Sequence, residues 1–448
     1  MKRDILWITV DALRYDFTSM GSNRDLTPNI ESVARRNRSQ SYSYCFSHGL
    51  GTRISTSSIL TGVYPDTHRV FSNSDEIPDD LQTVTERLQD IGYTTIGISP
   101  NVHVSSASNL DRGFDYFYYL GDPSQLVRGA GLTDLLKFAA YIRRHSAGFN
   151  AERSNHTPAY LMNKIAKRHF ERSDPTFTYL HYLAPHSPYF PPLPYFREVC
   201  KEAGADEKNV KDLIREVHEN PFISEKDISN DNLSILKNLY EAEIRYIDRM
   251  IGSLLAQHQG DPIIIITADH GELFGEDGVL GHKVSMHPRL LNVPLVIRGL
   301  PKGRRQLVQH IDVIRTMLDE VGADIEGVQG EHLERSERDY AITQRGDGVN
   351  LKEFPAPWNA LGGKYLDGRA TSVVTKEYQL ITAGPDTAVN TVKSGEEVTN
   401  PDPDLSQRLS EYHLEWKEKQ EMSDFGTQKS EMSNKTLKRL EELGYRIE

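Results

Sequence analysis

The stretch Ile263-Ile-Ile-Ile-Thr-Ala-Asp269-His270-Gly-Glu272 sets four consecutive isoleucines directly before an Asp-His-Gly turn. A continuous β-branched run of this length reads as a strand buried on both faces, the pattern of a parallel sheet. In open α/β sheets ligands bind beyond the carboxyl ends of the strands, so polar residues just past such a run are the first candidates for chemistry. Asp269 and His270 offer an adjacent hard oxygen and imidazole nitrogen, a pair able to ligate one Zn²⁺, Mn²⁺ or Fe²⁺. Gly271 lets the backbone turn sharply beside them.

Four more runs of the same kind lie at Ile5–Val10, Tyr93–Ile98, Thr176–Leu180 and Val293–Ile297. Helical patterns separate them. The clearest is Ser234–Gln257, where Ile235, Leu239, Ile247, Ile251, Leu254 and Leu255 recur near helical spacing and Glu241 precedes Arg245 by four. Alternating strands and helices predict an α/β fold with a doubly wound, mostly parallel sheet over residues 1–330. Past about residue 330, short strand-like pieces such as Tyr378–Thr382 sit among Gly, Pro and Asp, and Ser394–Asp404 reads as a solvated loop. Residues 331–448 are therefore expected to form a small C-terminal α+β subdomain. It would close on an amphipathic helix carrying Leu437, Leu440 and Leu443 ahead of Gly444.

A chain of 448 residues with 38% hydrophobic residues can bury one large core and a smaller one. Its net charge of −12 includes 52 Lys and Arg, a mixed surface that argues against a nucleic-acid backbone as the main partner. The two cysteines, Cys45 and Cys200, suit a reduced core rather than a disulfide framework, so a cytoplasmic location is the default expectation. The apolar run Ile5–Val10 is too short for a signal h-region, and no stretch reaches the roughly 18 apolar residues of a transmembrane span. Monotopic membrane contact and oligomeric state stay open.

Two further stretches carry chemistry. Asp11 follows the strand Ile5–Val10 and begins Asp-Ala-Leu-Arg-Tyr-Asp, placing a carboxylate at a strand end where a divalent cation would offset its desolvation. The alternative is a turn or helix-capping aspartate. The segment His48-Gly-Leu-Gly-Thr52-Arg-Ile-Ser-Thr-Ser-Ser-Ile-Leu-Thr-Gly62 places hydroxyls and amides at a helix start, which suits a tetrahedral oxyanion but also fits an ordinary Ser/Thr cap. Thr52 would need a metal to lower its pKa before acting as a nucleophile.

These segments resemble the sulfatases and the related phospho- and phosphonate-ester hydrolases of the alkaline phosphatase superfamily. The resemblance runs in order through Asp11–Asp16, Thr27-Pro-Asn29, Thr52–Pro65, Pro185-His186-Ser-Pro-Tyr189, Tyr240–Glu243 with Asp248, Thr267–Glu272, Gly281-His282-Lys283 and Val293–Ile297. It implies an alkaline phosphatase-like fold with Thr52 as nucleophile and Asp11, Asp269 and His270 as metal ligands beside it. It also implies His186 as general acid, Lys283 as a cation for non-bridging oxygens, and Asn101, His103 and His282 as substrate-binding positions.

Three departures redirect that expectation. Formylglycine sulfatases start the nucleophile motif with Cys or Ser, followed by Pro and Arg, where this chain has Thr52, Ile54 and Thr56; threonine cannot become formylglycine. Cys45 lies seven residues too early and is expected in the core. The tandem acid after the first strand is Asp11-Ala12, and the usual Lys-x-His is Asn101-Val102-His103. The set Thr52, Asp11, Asp269 and His270 is similar to one metal site of the phosphodiesterase relatives that use threonine directly. One divalent ion is therefore expected, with Mn²⁺, Zn²⁺ or Mg²⁺ favoured over Ca²⁺. For a second ion the sequence offers His186 and His282 with no matching acid. The expected activity is hydrolysis of a small anionic sulfate- or phosphate-type ester through a covalent threonyl intermediate, with phosphodiesters, phosphonates and phosphomonoesters favoured. A phospho-transferase and a catalytically inactive binding protein are the alternatives.

Overall fold

The structure, a computed structural model, describes residues 2–148, 156–220, 223–346, 368–420 and 428–429. Its core is an eight-stranded sheet. The strands of this part of the chain are, in order, β1 (Ile5–Val10), β2 (Ser39–Phe46), β3 (Asp75–Glu76), β4 (Thr94–Ser99), β5 (Tyr116–Tyr119), β6 (Thr176–Tyr182) and β7 (Ile263–Thr267). They continue with β8 (Leu273–Phe274), β9 (Leu280–Gly281), β10 (Asn292–Arg298) and β11 (Leu307–Val308); of these, β3, β8 and β9 lie outside that sheet. The sheet order is β11-β2-β10-β7-β1-β6-β4-β5, so β1 sits centrally between β7 and β6.

All six residues of β1, all seven of β6 and all five of β7 are buried, as their unbroken apolar runs require when helices cover both faces. One group of helices, Pro28–Ala34, Ala159–His169 and Asn230–Leu255, packs together, and a second group, Thr52–Thr61, Val84–Asp90 and His310–Val321, packs together; both meet the sheet. The long helix begins at Asn230, four residues before the apolar periodicity starts, because Ser229 caps it by accepting from Asn232 N.

β10 departs from the expected parallel reading: it pairs antiparallel with both β7 and β2. Its composition is that of a strand buried on both faces, which is indifferent to direction. The connection from Gly271 to Asn292 holds only short elements, the longest the four-residue helix Pro288–Leu291, and with no crossover helix to return the chain the strand runs against its neighbours.

A second sheet follows, formed by β12 (Ala341–Arg345), β13 (Ala370–Val374), β14 (Tyr378–Ala383) and β15 (Asp386–Thr391), antiparallel throughout. Leu409 and Trp416 of the helix Pro403–Gln420 cover it with Leu380 and Val373. Gln309 joins it to the main body: its Nε2 donates to Phe46 O and Ile342 O, and its Oε1 accepts from Ile342 N. The helix anticipated around Leu437–Leu443 lies outside the described residues. No described helix is long and apolar enough to cross a membrane.

Candidate active site

Four neighbouring strands deliver polar side chains to one place. Asp11 follows β1, Asp269 follows β7 by two residues, Asn101 follows β4 by two, and His181 is the penultimate residue of β6. The registry Thr9↔His181 on one side of β1 and Thr9↔Thr267 on the other brings these ends level. The turn after β1 is held from two sides. Ala12 sits in the left-handed region at φ 59°, a conformation costing about 1–2 kcal/mol for a residue with a Cβ. Its N–H donates to Asp269 Oδ1 and its carbonyl accepts from Tyr240 Oη at 2.6 Å.

Thr52 opens the fully buried helix Thr52–Thr61, with Gly51 as N-cap. Its Oγ1 lies 3.4 Å from each Asp11 carboxylate oxygen and 3.4 Å from His270 Nε2. Asn101 Nδ2 donates to Asp11 Oδ2 at 2.7 Å. His181 Nε2 stands 3.2 Å from the same oxygen and 3.9 Å from Asp269 Oδ2.

The donor set fits a cation. Asp11, His181 and Asp269 each turn one ligand atom to a common point, all within 4.8 Å of one another and all buried. Asp269 Oδ1 accepts from Ala12 N and His270 N, whereas its Oδ2 is buried with no hydrogen-bond partner among the described residues. His270 Nδ1 donates to Gly271 O at 2.8 Å, which fixes the tautomer and leaves the Nε2 lone pair 3.5 Å from Asp11 Oδ1 and 3.7 Å from Asp269 Oδ2. A lone pair facing two carboxylates with an orphaned oxygen between them is repulsive unless positive charge stands there. The protonation equilibria express the same demand. Burial pushes the Asp11 carboxyl up, but His186, His181 and His270 outweigh it and hold it well below the usual carboxylate range. Burial lowers His270, yet Asp269 and Asp11 raise it above the ordinary imidazole value.

A second cluster adjoins the first. His282 Nδ1 donates to Glu272 Oε1 at 2.8 Å, and the ring of His282 lies 4.4 Å from His270 and 4.9 Å from His186. Glu272 is therefore a buried acid beside the histidines for which the sequence had supplied none. Burial raises its carboxyl, and His282, with His186 and His270, more than offsets this, leaving it below the ordinary value. His103 accepts from Arg53 Nε on its Nδ1 at 3.2 Å, while its backbone N–H donates to Asn101 Oδ1. Lys283, next to His282, is exposed.

Of the anticipated residues, Thr52, Asp11, Asp269, His270 and Asn101 are brought into direct contact, and His186 and His282 adjoin them. His181 and Glu272 were missed. The signal for His181 was a histidine directly after the apparent end of an apolar strand at Leu180; for Glu272, a carboxylate two residues past His270. Other motif residues are structural. Arg14 is buried between Asp16 and Glu276, each 2.8 Å away, and Asp248 accepts from Asn29 N, Asn29 Nδ2 and Ile30 N at the start of Pro28–Ala34. Cys45 is buried in the core as a free thiol.

The sulfatase family model matches residues 3–323 of the chain. The low-salt glycan biosynthesis sulfotransferase Agl7 of Haloferax volcanii is 25% identical over 294 residues, covering 62% of this chain. The chain spans 54% of that relative's length. The choline-sulfatase of Rhizobium meliloti is 24% identical over 375 residues, covering 73% of this chain and 69% of its own. Among solved structures, the phosphonate monoester hydrolase of Silicibacter pomeroyi superposes with a TM-score of 0.68 at 18% identity, covering 94% of this chain and 96% of its own.

Proposed function

The chain belongs to the sulfatase family, and from that premise we propose that it is a metal-dependent hydrolase of small anionic sulfate- or phosphate-type esters with Thr52 as its nucleophile. The observation that carries this reading is the position of Thr52 Oγ1, 3.4 Å from Asp11 and from His270 inside a buried donor set. Asp11, Asp269 and His270, joined by His181, would hold one divalent cation, which when bound would lower the pKa of the Thr52 hydroxyl and neutralise charge on the ester oxygens.

The chain's own residues supply the rest. The rigid start of the helix Thr52–Thr61 aims Oγ1 at the bound ester, and Asn101 Nδ2, bonded to Asp11, fixes that carboxylate in place. His186 Nδ1 donates to Ser187 O, so its other nitrogen is the one that can pass a proton to the leaving oxygen. Glu272 orients His282, which with His103 and Asn101 lines the substrate side, and Lys283 at the rim attracts the anion. Thr52 forms an ester with the transferred group as the leaving alcohol departs; water then cleaves that ester and regenerates the hydroxyl. Formylglycine could expel its product by eliminating through its second hydroxyl, whereas a threonyl ester must be attacked directly. Direct attack is familiar for phosphoryl groups, which favours phosphodiester, phosphonate or phosphomonoester substrates over sulfates. The sulfotransferase among the relatives favours a second reading, capture of the same intermediate by an acceptor alcohol.

Chromogenic sulfate, phosphomonoester, phosphodiester and phosphonate esters, each assayed with Mn²⁺, Zn²⁺, Mg²⁺ and Ca²⁺, test the proposal. Turnover of a phospho-ester with a transition metal, and a quenched protein carrying the group on the Thr52 peptide, are expected. Preference for the sulfate with Ca²⁺ overturns the substrate ranking, and activity unchanged in Thr52→Ala overturns the nucleophile.

A further inference from the structure

Among the described residues, four of the five large hydrophobic side chains left exposed fall within one stretch of fifteen: Val127 at 54%, Leu132 at 71%, Leu136 at 62% and Tyr141 at 54%. They belong to the helical segment Pro123–Ala140 and the turn after it. A soluble surface scatters such residues singly, so their concentration marks an interaction surface. The segment kinks at Gly131, φ 69° and ψ 160°, where an added Cβ would strike the Arg168 guanidinium. Beyond the kink, Leu132 and Leu136 are one turn apart and share a face, which Ala140 continues.

The charge on this surface has one sign. Arg128, Lys137, Arg143 and Arg144 are all exposed, interleaved with the apolar residues. The only acid between residues 123 and 148 is Asp134, which is turned to Arg168 at 2.8 Å. A chain whose net charge is −12 thus presents a cationic, apolar patch here. Both ends of the segment are anchored near the carboxyl ends of the strands. Leu120 N bonds Ser99 O, two residues before Asn101, and Leu193 N, seven residues after His186, bonds Ser146 O.

We propose that residues 123–144 form an interfacial membrane-binding element, whose aliphatic and tyrosine side chains enter the acyl boundary of an anionic lipid surface while its arginines and lysine pair with headgroups. Helices that lie in a membrane interface combine an apolar face with Lys and Arg and low overall hydrophobicity, and tyrosine favours the headgroup level. A second copy of the chain fits less well: a two-fold contact would set this patch against itself, with the same four cations opposed. The element stands independently of the chemistry proposed at Thr52.

The test is flotation of the full chain with phosphatidylcholine vesicles, with and without phosphatidylserine. Binding is expected with phosphatidylserine and lost at high salt. Leu132→Glu with Leu136→Glu should weaken it about tenfold or more, and Arg143→Glu with Arg144→Glu about fivefold for each charge removed. Because these side chains are exposed, thermal unfolding of both variants should match the wild type, which separates lost binding from lost fold. Absence of flotation at low salt, or flotation unchanged in both variants, overturns the proposal. So does a wild-type dimer that the leucine pair converts to monomer, which would make the patch a protein interface.

Discussion

His181 Nε2 and Asp11 Oδ2, at the carboxyl ends of adjacent strands, lie 3.2 Å apart with both side chains fully buried. This pairing places His181 in the buried donor set that could hold a cation. His181→Ala should weaken binding of Mn²⁺ or Zn²⁺ to metal-stripped protein by about 10–100-fold, the usual cost of disturbing a ligand or its immediate support. Calorimetric titration measures it, and an unaltered dissociation constant would remove His181 from the site.

Chelation should destabilise the fold as well as abolish activity. A cation at 100 times its dissociation constant stabilises the native state by about 2.7 kcal/mol, so the midpoint of thermal unfolding should rise on adding metal to stripped protein. In Asp269→Asn, which replaces the carboxylate bearing the orphaned oxygen, that rise should vanish. A metal-induced shift that persists in the variant would place the ion elsewhere.

Thr52→Ala should lower kcat by about a thousandfold or more, as loss of a covalent nucleophile does, while metal affinity falls far less. Thr52→Ser keeps the hydroxyl and should retain measurable turnover. Equal losses in the two variants would point to packing at the head of the buried helix rather than to nucleophilic chemistry.

Acid should unfold this protein through buried histidines outside the donor set. Burial lowers His68 to about 3 and His310 to about 4, and pushes His48 well down. His68 Nδ1 accepts from Val70 N, so its lone pair there is already used, and Nε2 faces Ser58 Oγ at 3.0 Å. Above the unfolded value of about 6.5 both states are neutral. As pH falls below it the unfolded chain gains protons that the native state refuses, so stability is lost progressively down to pH 3–4. Urea denaturation at pH 7.5 and pH 5 should show a loss of a few kcal/mol, and His68→Gln should shrink the difference. A flat profile would mean the three rings protonate in place.

Arg338 grips Asp312 with two hydrogen bonds of 2.7 and 2.6 Å, both groups nearly buried, and reaches Tyr64 Oη and Tyr340 O. Asp312 also accepts from Gln309 N at the head of the helix His310–Val321. Arg338→Ala leaves that carboxylate buried and uncompensated and should cost about 3–5 kcal/mol. Chemical denaturation checks it; a change within 1 kcal/mol would show that water replaces the guanidinium.

The sequence went furthest where burial is continuous. Ile5–Val10 and Ile263–Thr267 match their strands residue for residue, and Tyr93–Ile98 is displaced by one. It went least far where one residue serves two descriptions. His181 sits inside β6 yet turns toward the carboxylates, and a reading that ends the strand at Leu180 leaves it out. The direction of β10 was hidden because a doubly buried strand shows the same composition whichever way it runs.

By itself the sequence determined which segments become central strands and that Asp11, Asp269 and His270 follow two of them, because long apolar runs must be buried and the residues beyond must emerge at their ends. Only the tertiary structure decided that His181 and Asn101 meet Asp11, that Thr52 Oγ1 points among them, and that Glu272 holds His282. Those contacts depend on which strands become neighbours and on the registry between them, and no local stretch of chain encodes either.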